Sequence, residues 1–163
     1  MIAGLPGAIA SVPDGMASAV LVGVNPFYGR LVEHAAPEAL PSDRVTVLDV
    51  YGSLPYAGAR TLQARLPGVG TAHRAVVVLR LRGHTSLGAT FNRVIGDYSR
   101  RLAATGGRLY LSGLSPNVIE QLRETGALNV SGPVSPYRAT SVIGESTARA
   151  ADAAEAWLIR HRE

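Results

Sequence analysis

The sequence contains no cysteine and no lysine, and both absences restrict its chemistry. Without cysteine, the chain cannot form disulfides, iron–sulfur clusters, cysteine-based zinc sites or a thiol nucleophile. Without lysine, it has neither a Schiff-base amine nor the lysine of a phosphate-binding P-loop. All 16 basic residues are therefore arginines, and they are interleaved with 12 carboxylates, which argues against a nucleic-acid-binding face.

Charge is also scarce at the start of the chain, where residues 1–32 hold only Asp14 and Arg30. This segment is apolar but interrupted by prolines, and its longest helical stretch, Gly15–Val24, has about half the length of a membrane span. A signal peptide would require a positively charged side chain near the N-terminus, and none precedes Arg30. We expect an apolar N-terminal arm with a short helix near Asp14–Val24, loosely attached and outside the core.

The rest of the 163 residues, about one domain of ordinary size, alternates between strand and helix patterns. Apolar, β-branched runs predict strands, and apolar residues at helical spacing predict helices. The predicted strands are Val45–Val50, a short partner at Ser53–Tyr56 weakened by Pro55, Arg74–Arg82, Arg108–Leu111 and Thr140–Ile143. The predicted helices are Ala57–Leu66, Leu87–Thr105, one capped by Ser115 and closed by Gly126, and Ser146–Arg160. Repeated β–α units of this kind predict an α/β fold, a largely parallel sheet with helices packed on it.

The core of this sheet is predicted from the strand pattern. The unbroken apolar run Ala75–Leu79 indicates a strand buried on both faces. The residues expected at the centre are Val76, Val78, Leu79, Leu81, Leu109 and Leu111, with Phe91, Val94 and Ile95 packed on them.

Several stretches resemble a known family. Ile2–Leu5 (IAGL) and Val12–Gly29 (VPDGMASAVLVGVNPFYG) resemble the first transmembrane helix of SulP-type sulfate and anion transporters. Val45–Arg160 resembles the STAS fold that ends those transporters and that bacterial anti-sigma factor antagonists share. The segments that carry this second resemblance are VTVLDVYGSLPYAGARTL, VVVLRLRGHTSLGATF and GGRLYLSGLSPNVIEQLRETGAL. The resemblance implies a transmembrane-helix remnant at 1–32, a linker at 33–44 and a STAS domain at 45–163, with the membrane domain missing after Leu31.

This resemblance implies a regulatory, protein-binding domain of a truncated transporter, with no enzymatic activity and no cofactor. Transport by this chain alone is not expected, because an anion path needs several helices packed around a central site. The implied partner is a cytoplasmic protein or a transporter membrane domain, with a membrane contact through residues 1–32. The implied location is the cytoplasmic face of the membrane, or the cytoplasm for the STAS domain alone. The alternative is a free-standing protein like the anti-sigma factor antagonists, which binds a kinase-type partner.

The resemblance also implies a regulatory switch loop at residues 85–90. In the antagonists, a kinase phosphorylates the serine of an Asp-Ser pair at the start of the following helix. By pattern, Gly88 stands at that aspartate and Ala89 at that serine, so this phospho-switch cannot operate here. Thr85, Ser86 and Thr90 remain as hydroxyl acceptors, and Thr90 is the best placed. Helix capping or a surface position is the alternative role for all three.

Arg80 and Arg82 are candidate anion or nucleotide contacts. They alternate on the predicted strand and should therefore share one direction. The alternative is that both are solvated arginines at a strand end. Asp49, inside an apolar strand, predicts a hydrogen bond or an ion pair.

Catalytic and metal sites are not expected. The run from Gly83 to Gly88 is close to the nucleophile elbow of serine hydrolases, but His84 stands where that strained turn needs glycine. The downstream histidine of a triad could only be His161, three residues from the end. The four histidines show no metal-ligand spacing.

Overall fold

The computed structural model describes residues 20–24, 33–51, 54 and 56–162. Within these ranges, six strands form one sheet in the order β2-β1-β3-β4-β5-β6. The strands are β1 (Val20–Val24), β2 (Glu33–Ala35), β3 (Val45–Tyr51), β4 (Val76–Arg80), β5 (Arg108–Leu114) and β6 (Val134–Arg138). The helices are α1 (Tyr56–Arg65), α2 (Ala89–Ala104), α3 (Pro116–Thr125) and α4 (Glu145–Arg160).

The strands from β3 to β6 run parallel, and one helix follows each of them. β1 pairs antiparallel with both β3 and β2. This confirms the predicted α/β fold with a mostly parallel sheet. Because parallel strands end at the same edge of a sheet, the loops at residues 81–88 and 139–144 both lie at its carboxyl edge.

One face of the sheet is covered by α1, α2 and α3. Leu48, Val77 and Leu109 point from the sheet into an apolar cluster on this side. Leu62 of α1 and Phe91 of α2 pack into the same cluster and are fully buried. This face holds the larger part of the apolar core.

The opposite face is covered by α4. Val76 and Val78 of β4 point to this side and pack with Ala150, Ala154 and Leu158. The small alanine side chains of α4 allow the helix to lie close to the sheet. The unbroken apolar pattern of β4 is therefore explained, since successive residues serve different clusters. All nine residues predicted for the core are at most 3 % exposed, which confirms that prediction.

The expected helix near Asp14–Val24 is wrong for the residues that the structure describes. Val20–Val24 form β1, inserted between β2 and β3, with Val22 opposite Asp49. The sequence VLVGV is rich in β-branched residues, and pairing with β3 decides in favour of a strand. β1 is thus part of the sheet and not a loosely attached arm. Residues 14–19 lie outside the described residues.

Two other predicted strands are misplaced. The antiparallel partner of β3 is β1, which precedes it in the chain, and not the predicted strand Ser53–Tyr56. Tyr56 is the first residue of α1, and Ser53 and Pro55 lie outside the described residues. The last strand is Val134–Arg138, and residues 140–143 belong to the loop before α4. Pro136 concealed this strand from the sequence pattern, and β6 tolerates it because it is an outer strand.

The predicted ends of α3 are confirmed. Ser115 is the N-cap, and its Oγ accepts a hydrogen bond from the Val118 N–H at 3.4 Å. Pro116 is the first helical residue, and Gly126 closes the helix in the left-handed conformation at φ 58°.

Among the residues described, no helix has the length and apolar character needed to span a membrane. The residues named as a transmembrane remnant are mostly outside that set, and the described part, Val20–Val24, is a strand.

Candidate functional site

The predicted switch loop, residues 85–90, comprises the second half of the connection between β4 and α2 and the first two residues of α2. From here on we call the whole connection, residues 81–88, the switch loop. The N–H of Leu81 donates to the Ser112 carbonyl at 2.8 Å, which holds the loop start against β5. Leu87 is 3 % exposed and anchors the other end in the core. The loop turns at Gly83, whose φ of 91° suits glycine. The segment is therefore fixed at both ends and exposed between them.

The start of α2 offers an open position without a hydroxyl. Gly88 is the N-cap and makes no side-chain cap, and Ala89 is the first helical residue and exposed. A Cβ built at Gly88 meets no atom within 4 Å. Thr85 and Ser86 are exposed, and Thr90 is half-buried. The backbone N–H groups of the first turn of a helix favour an anion, but no side chain at Gly88 or Ala89 can carry a phosphate.

His84 ties the switch loop to the end of β3, a role that the sequence did not suggest. The imidazole is half-buried, and this desolvation lowers its pKa below the ordinary histidine value. A hydrogen bond with the backbone of Val50 acts in the opposite direction and is the weaker effect. The neutral form of His84 is therefore the one that fits the folded loop.

Arg80 and Arg82 have different surroundings, because Arg80 is the last residue of β4 and Arg82 lies in the turn after it. β4 ends at Arg80, whose Nη1 lies 3.2 Å from both carboxylate oxygens of Asp49 on the neighbouring strand. Asp49 is 4 % exposed. Asp49 and Arg80 each follow by two residues a valine of the cluster under α4, Val47 or Val78, so the ion pair lies on the α4 face of the sheet. Arg82 lies in the turn after the strand and is exposed. The ion pair expected for Asp49 is confirmed, and the anion or nucleotide contact of the two arginines stays a prediction.

A chain of short contacts links the switch loop to α4. Gly113 of β5 has φ 76°, and a Cβ there would lie 3.0 Å from the Arg82 backbone nitrogen. The Gly113 N–H donates to Ser146 Oγ at 3.0 Å. Ser112 Oγ lies 3.0 Å from Thr147 Oγ1. The start of the loop, β5 and the first turn of α4 are thus packed as one unit, which only the register of the strands could reveal.

The serine-hydrolase arrangement is excluded by position. Ser86 lies at the carboxyl edge of the sheet, whereas His161 follows the last turn of α4. The Arg74 guanidinium, just before β4, donates to the His161 carbonyl, so His161 lies at the amino edge. In the part of the chain that is described, no group of three histidine or carboxylate side chains could hold a metal ion.

Comparison with known proteins assigns the fold to a family. The family model of the STAS domain matches residues 36–140, well over half of the chain. The chain belongs to the STAS domain family. The matched region begins before β3 and therefore includes Leu40. Leu40 is buried, and its N–H donates to the Gly68 carbonyl. No curated protein matches the sequence significantly.

Solved structures of anion transporters contain a similar fold. One structure of SLC26A9 aligns with 88 % of this STAS chain at a TM-score of 0.51 and 11 % identity. A structure of the murine solute carrier 26 family member A9, an anion transporter in its inward-facing state, aligns with 82 % of it at a TM-score of 0.51 and 15 % identity. The STAS chain spans only 26 % and 22 % of these two proteins. At such identities the likeness is one of fold.

Proposed function

We propose that this chain is a regulatory, protein-binding STAS domain of a SulP-type sulfate or anion transporter. The supporting observation is that most of this chain has the same fold as part of two anion-transporter structures. The aligned part makes up only about a quarter of each transporter chain. On this proposal, residues 45–163 are the cytoplasmic regulatory part, and residues 1–32 derive from a transporter N-terminus. Residues 33–44, the linker of the sequence prediction, contain β2 and the buried Leu40, and β1 pairs with β3, so both segments also contribute to the sheet domain. The domain does not catalyse a reaction and needs no cofactor.

Transport itself is assigned to other protein segments. A membrane path for an anion requires several helices around a midplane site, and the described residues hold no helix that could span a bilayer. The domain would act by contact, either with a transporter membrane domain or with a cytoplasmic protein. The exposed switch loop, fixed at Leu81 and Leu87, is the surface that we assign to this contact.

The alternative function is that of an anti-sigma factor antagonist, which docks on a kinase-type partner. The observation that favours it is the position of Thr90, a partly exposed residue with a hydroxyl group at the second position of α2. Gly88 and Ala89 weigh against it, because neither can accept phosphate where the antagonists do.

The proposal is tested with proteoliposomes that contain a SulP-type transporter from which its own STAS domain has been removed. Added chain should bind these proteoliposomes and change sulfate uptake, whereas liposomes with the chain alone should show no uptake. Arg82→Glu in the switch loop should weaken this binding. Arg123→Glu, at an exposed position of α3, should leave it unchanged. Absence of binding, together with efficient phosphorylation of Thr90 by an anti-sigma kinase, would establish the alternative instead.

A further inference from the structure

The loop between β6 and α4 carries two exposed apolar side chains at its tip. Val142 is 60 % exposed and Ile143 is 74 % exposed. Among the residues that the structure describes, the only other large apolar side chain this exposed is Ile159, at the far end of α4. We call Val142 and Ile143 the apolar tip. Large side chains of this kind, placed together in water, indicate a contact surface.

The backbone of this loop is held by its own hydrogen bonds. Thr140 Oγ1 donates to the Val142 carbonyl at 3.1 Å, and the Glu145 N–H approaches the same oxygen at 3.4 Å. Gly144 is the N-cap of α4 and has a φ of 89°, which suits glycine. The polar backbone of the tip is therefore partly satisfied within the loop, while its two side chains remain outside.

Two arginines lie close to the loop that carries the apolar tip. Arg138, at the end of β6, and Arg149, in the second turn of α4, line a surface cavity of about 570 Å³ together with Thr140 and Ser141 of that loop. Neither forms an ion pair with the residues described. The carboxylates closest to Arg149 in sequence are Glu145, four residues before it, and Asp152, three residues after it. Both belong to α4 and are exposed. The hydroxyls of Thr140 and Ser141 complete the polar surroundings.

We propose that the apolar tip inserts into the surface of a membrane that contains anionic phospholipids, with Arg138 and Arg149 binding their phosphates. Two apolar side chains that protrude from a loop match a deformable acyl layer, whereas a protein partner would need a pocket shaped to receive both. Guanidinium groups bind phosphate oxygens through two parallel hydrogen bonds, and their aliphatic stems tolerate the interface. The proposed contact uses none of the residues of segment 1–32 or of the switch loop.

The test uses the full chain and vesicles of phosphatidylcholine, with or without phosphatidylserine. The chain should sediment with the phosphatidylserine vesicles, and added salt should weaken this binding. Val142→Ser with Ile143→Ser should lower the partition coefficient about tenfold, and Ile159→Ser should leave it unchanged. Arg138→Gln with Arg149→Gln should lower it about twentyfold, compared with the exposed control pair Arg93→Gln and Arg123→Gln. Because residues 1–32 are present in every variant, the differences report on the loop.

Insertion itself can be followed with a fluorescent label, because the chain has no cysteine of its own. An environment-sensitive dye on Ile143→Cys should shift its emission to the blue with phosphatidylserine vesicles, and the same dye on Ile159→Cys should not. Equal shifts at both positions, or binding that survives loss of the apolar tip, would overturn the proposal. So would a concentration-dependent dimer that the serine variants abolish without any vesicle binding, since a second copy would then cover the tip.

Discussion

The ion pair between Asp49 and Arg80 should stabilise the fold, and loss of the arginine should lower the free energy of unfolding more than loss of the carboxylate. Asp49 is nearly buried, and Arg80 keeps 21 % of its side chain exposed. Removing the cation leaves a buried carboxylate without this compensation, whereas removing the carboxylate leaves an arginine that can still reach water.

We therefore expect Arg80→Met to lower the free energy of unfolding by about 2 kcal/mol and Asp49→Asn to lower it by less. The double variant should be more stable than Arg80→Met alone. Urea denaturation of all four proteins measures these differences as a double-mutant cycle. An additive cycle would show that the two side chains do not interact energetically.

His84 makes stability depend on pH. Burial lowers its pKa, so the unfolded chain takes up a proton at a higher pH than the folded protein does. As the pH falls from about 8 through about 6.5, the free energy of unfolding should decrease, and this loss should end below the folded pKa. His84→Gln should remove this part of the slope, and His73→Gln, at an exposed position, should retain it. Thermal unfolding across this range measures the effect; an unchanged slope in His84→Gln would contradict it.

At the scale of elements, the start of α2 can be given the acceptor that it lacks. Gly88 has negative φ and free space around its Cβ position, so Gly88→Asp fits without strain and adds an N-cap worth a few tenths of a kcal/mol. Gly88→Asp with Ala89→Ser should create a phosphorylation site for an antagonist kinase, while the unmodified chain should remain unphosphorylated. Mass spectrometry separates residue 89 from Thr90. Phosphate on Thr90 of the unmodified chain would contradict this prediction.

Strand β1 contributes to the stability of the sheet because it covers β3. Without β1, the backbone groups of Val45–Tyr51 that face it would lose their partners. A chain that begins at Asn25 should therefore unfold at a lower temperature than a chain that begins at Val20, by about 2–4 °C for each kcal/mol lost. Calorimetry of this pair measures the loss of β1 together with the detachment of β2, which pairs with β1 in the described sheet, and equal melting temperatures would show that neither adds stability. This replaces the expectation that the N-terminal segment is loosely attached and outside the core.

The sequence predicts elements well where the signal is local. The apolar period of α2 and the cap of α3 depend on neighbours in sequence, and both elements were located to within about two residues. β1 and β6 depend on distant partners: a short apolar run can be helix or strand, and Pro136 is acceptable only in an outer strand. The switch loop was predicted from the family resemblance and stays a prediction, whereas the contact of His84 with β3 and the exposure of the apolar tip could be seen only in the packed structure.

At the scale of the whole molecule, the sheet separates two apolar clusters. Leu62 lies in the cluster under α1 and α2, and Leu158 lies in the cluster under α4. Leu62→Ala and Leu158→Ala should each lower the free energy of unfolding by about 2–4 kcal/mol. Because they share no neighbours, the double variant should equal the sum within about 0.5 kcal/mol. Chemical denaturation measures this, and a strongly non-additive result would mean that the sheet transmits the disturbance between its faces.

Pro136 in β6 has a consequence for concentrated solutions of the protein. An outer strand with free N–H and C=O groups can recruit a strand from a second molecule and start a growing fibril. β6 has only five residues, its proline offers no N–H, and its register with β5 shifts between Leu111 and Leu114. At the opposite end of the described sheet, β2 has three residues. Neither border is a good template for intermolecular β-pairing, so the described sheet is protected against this route to aggregation.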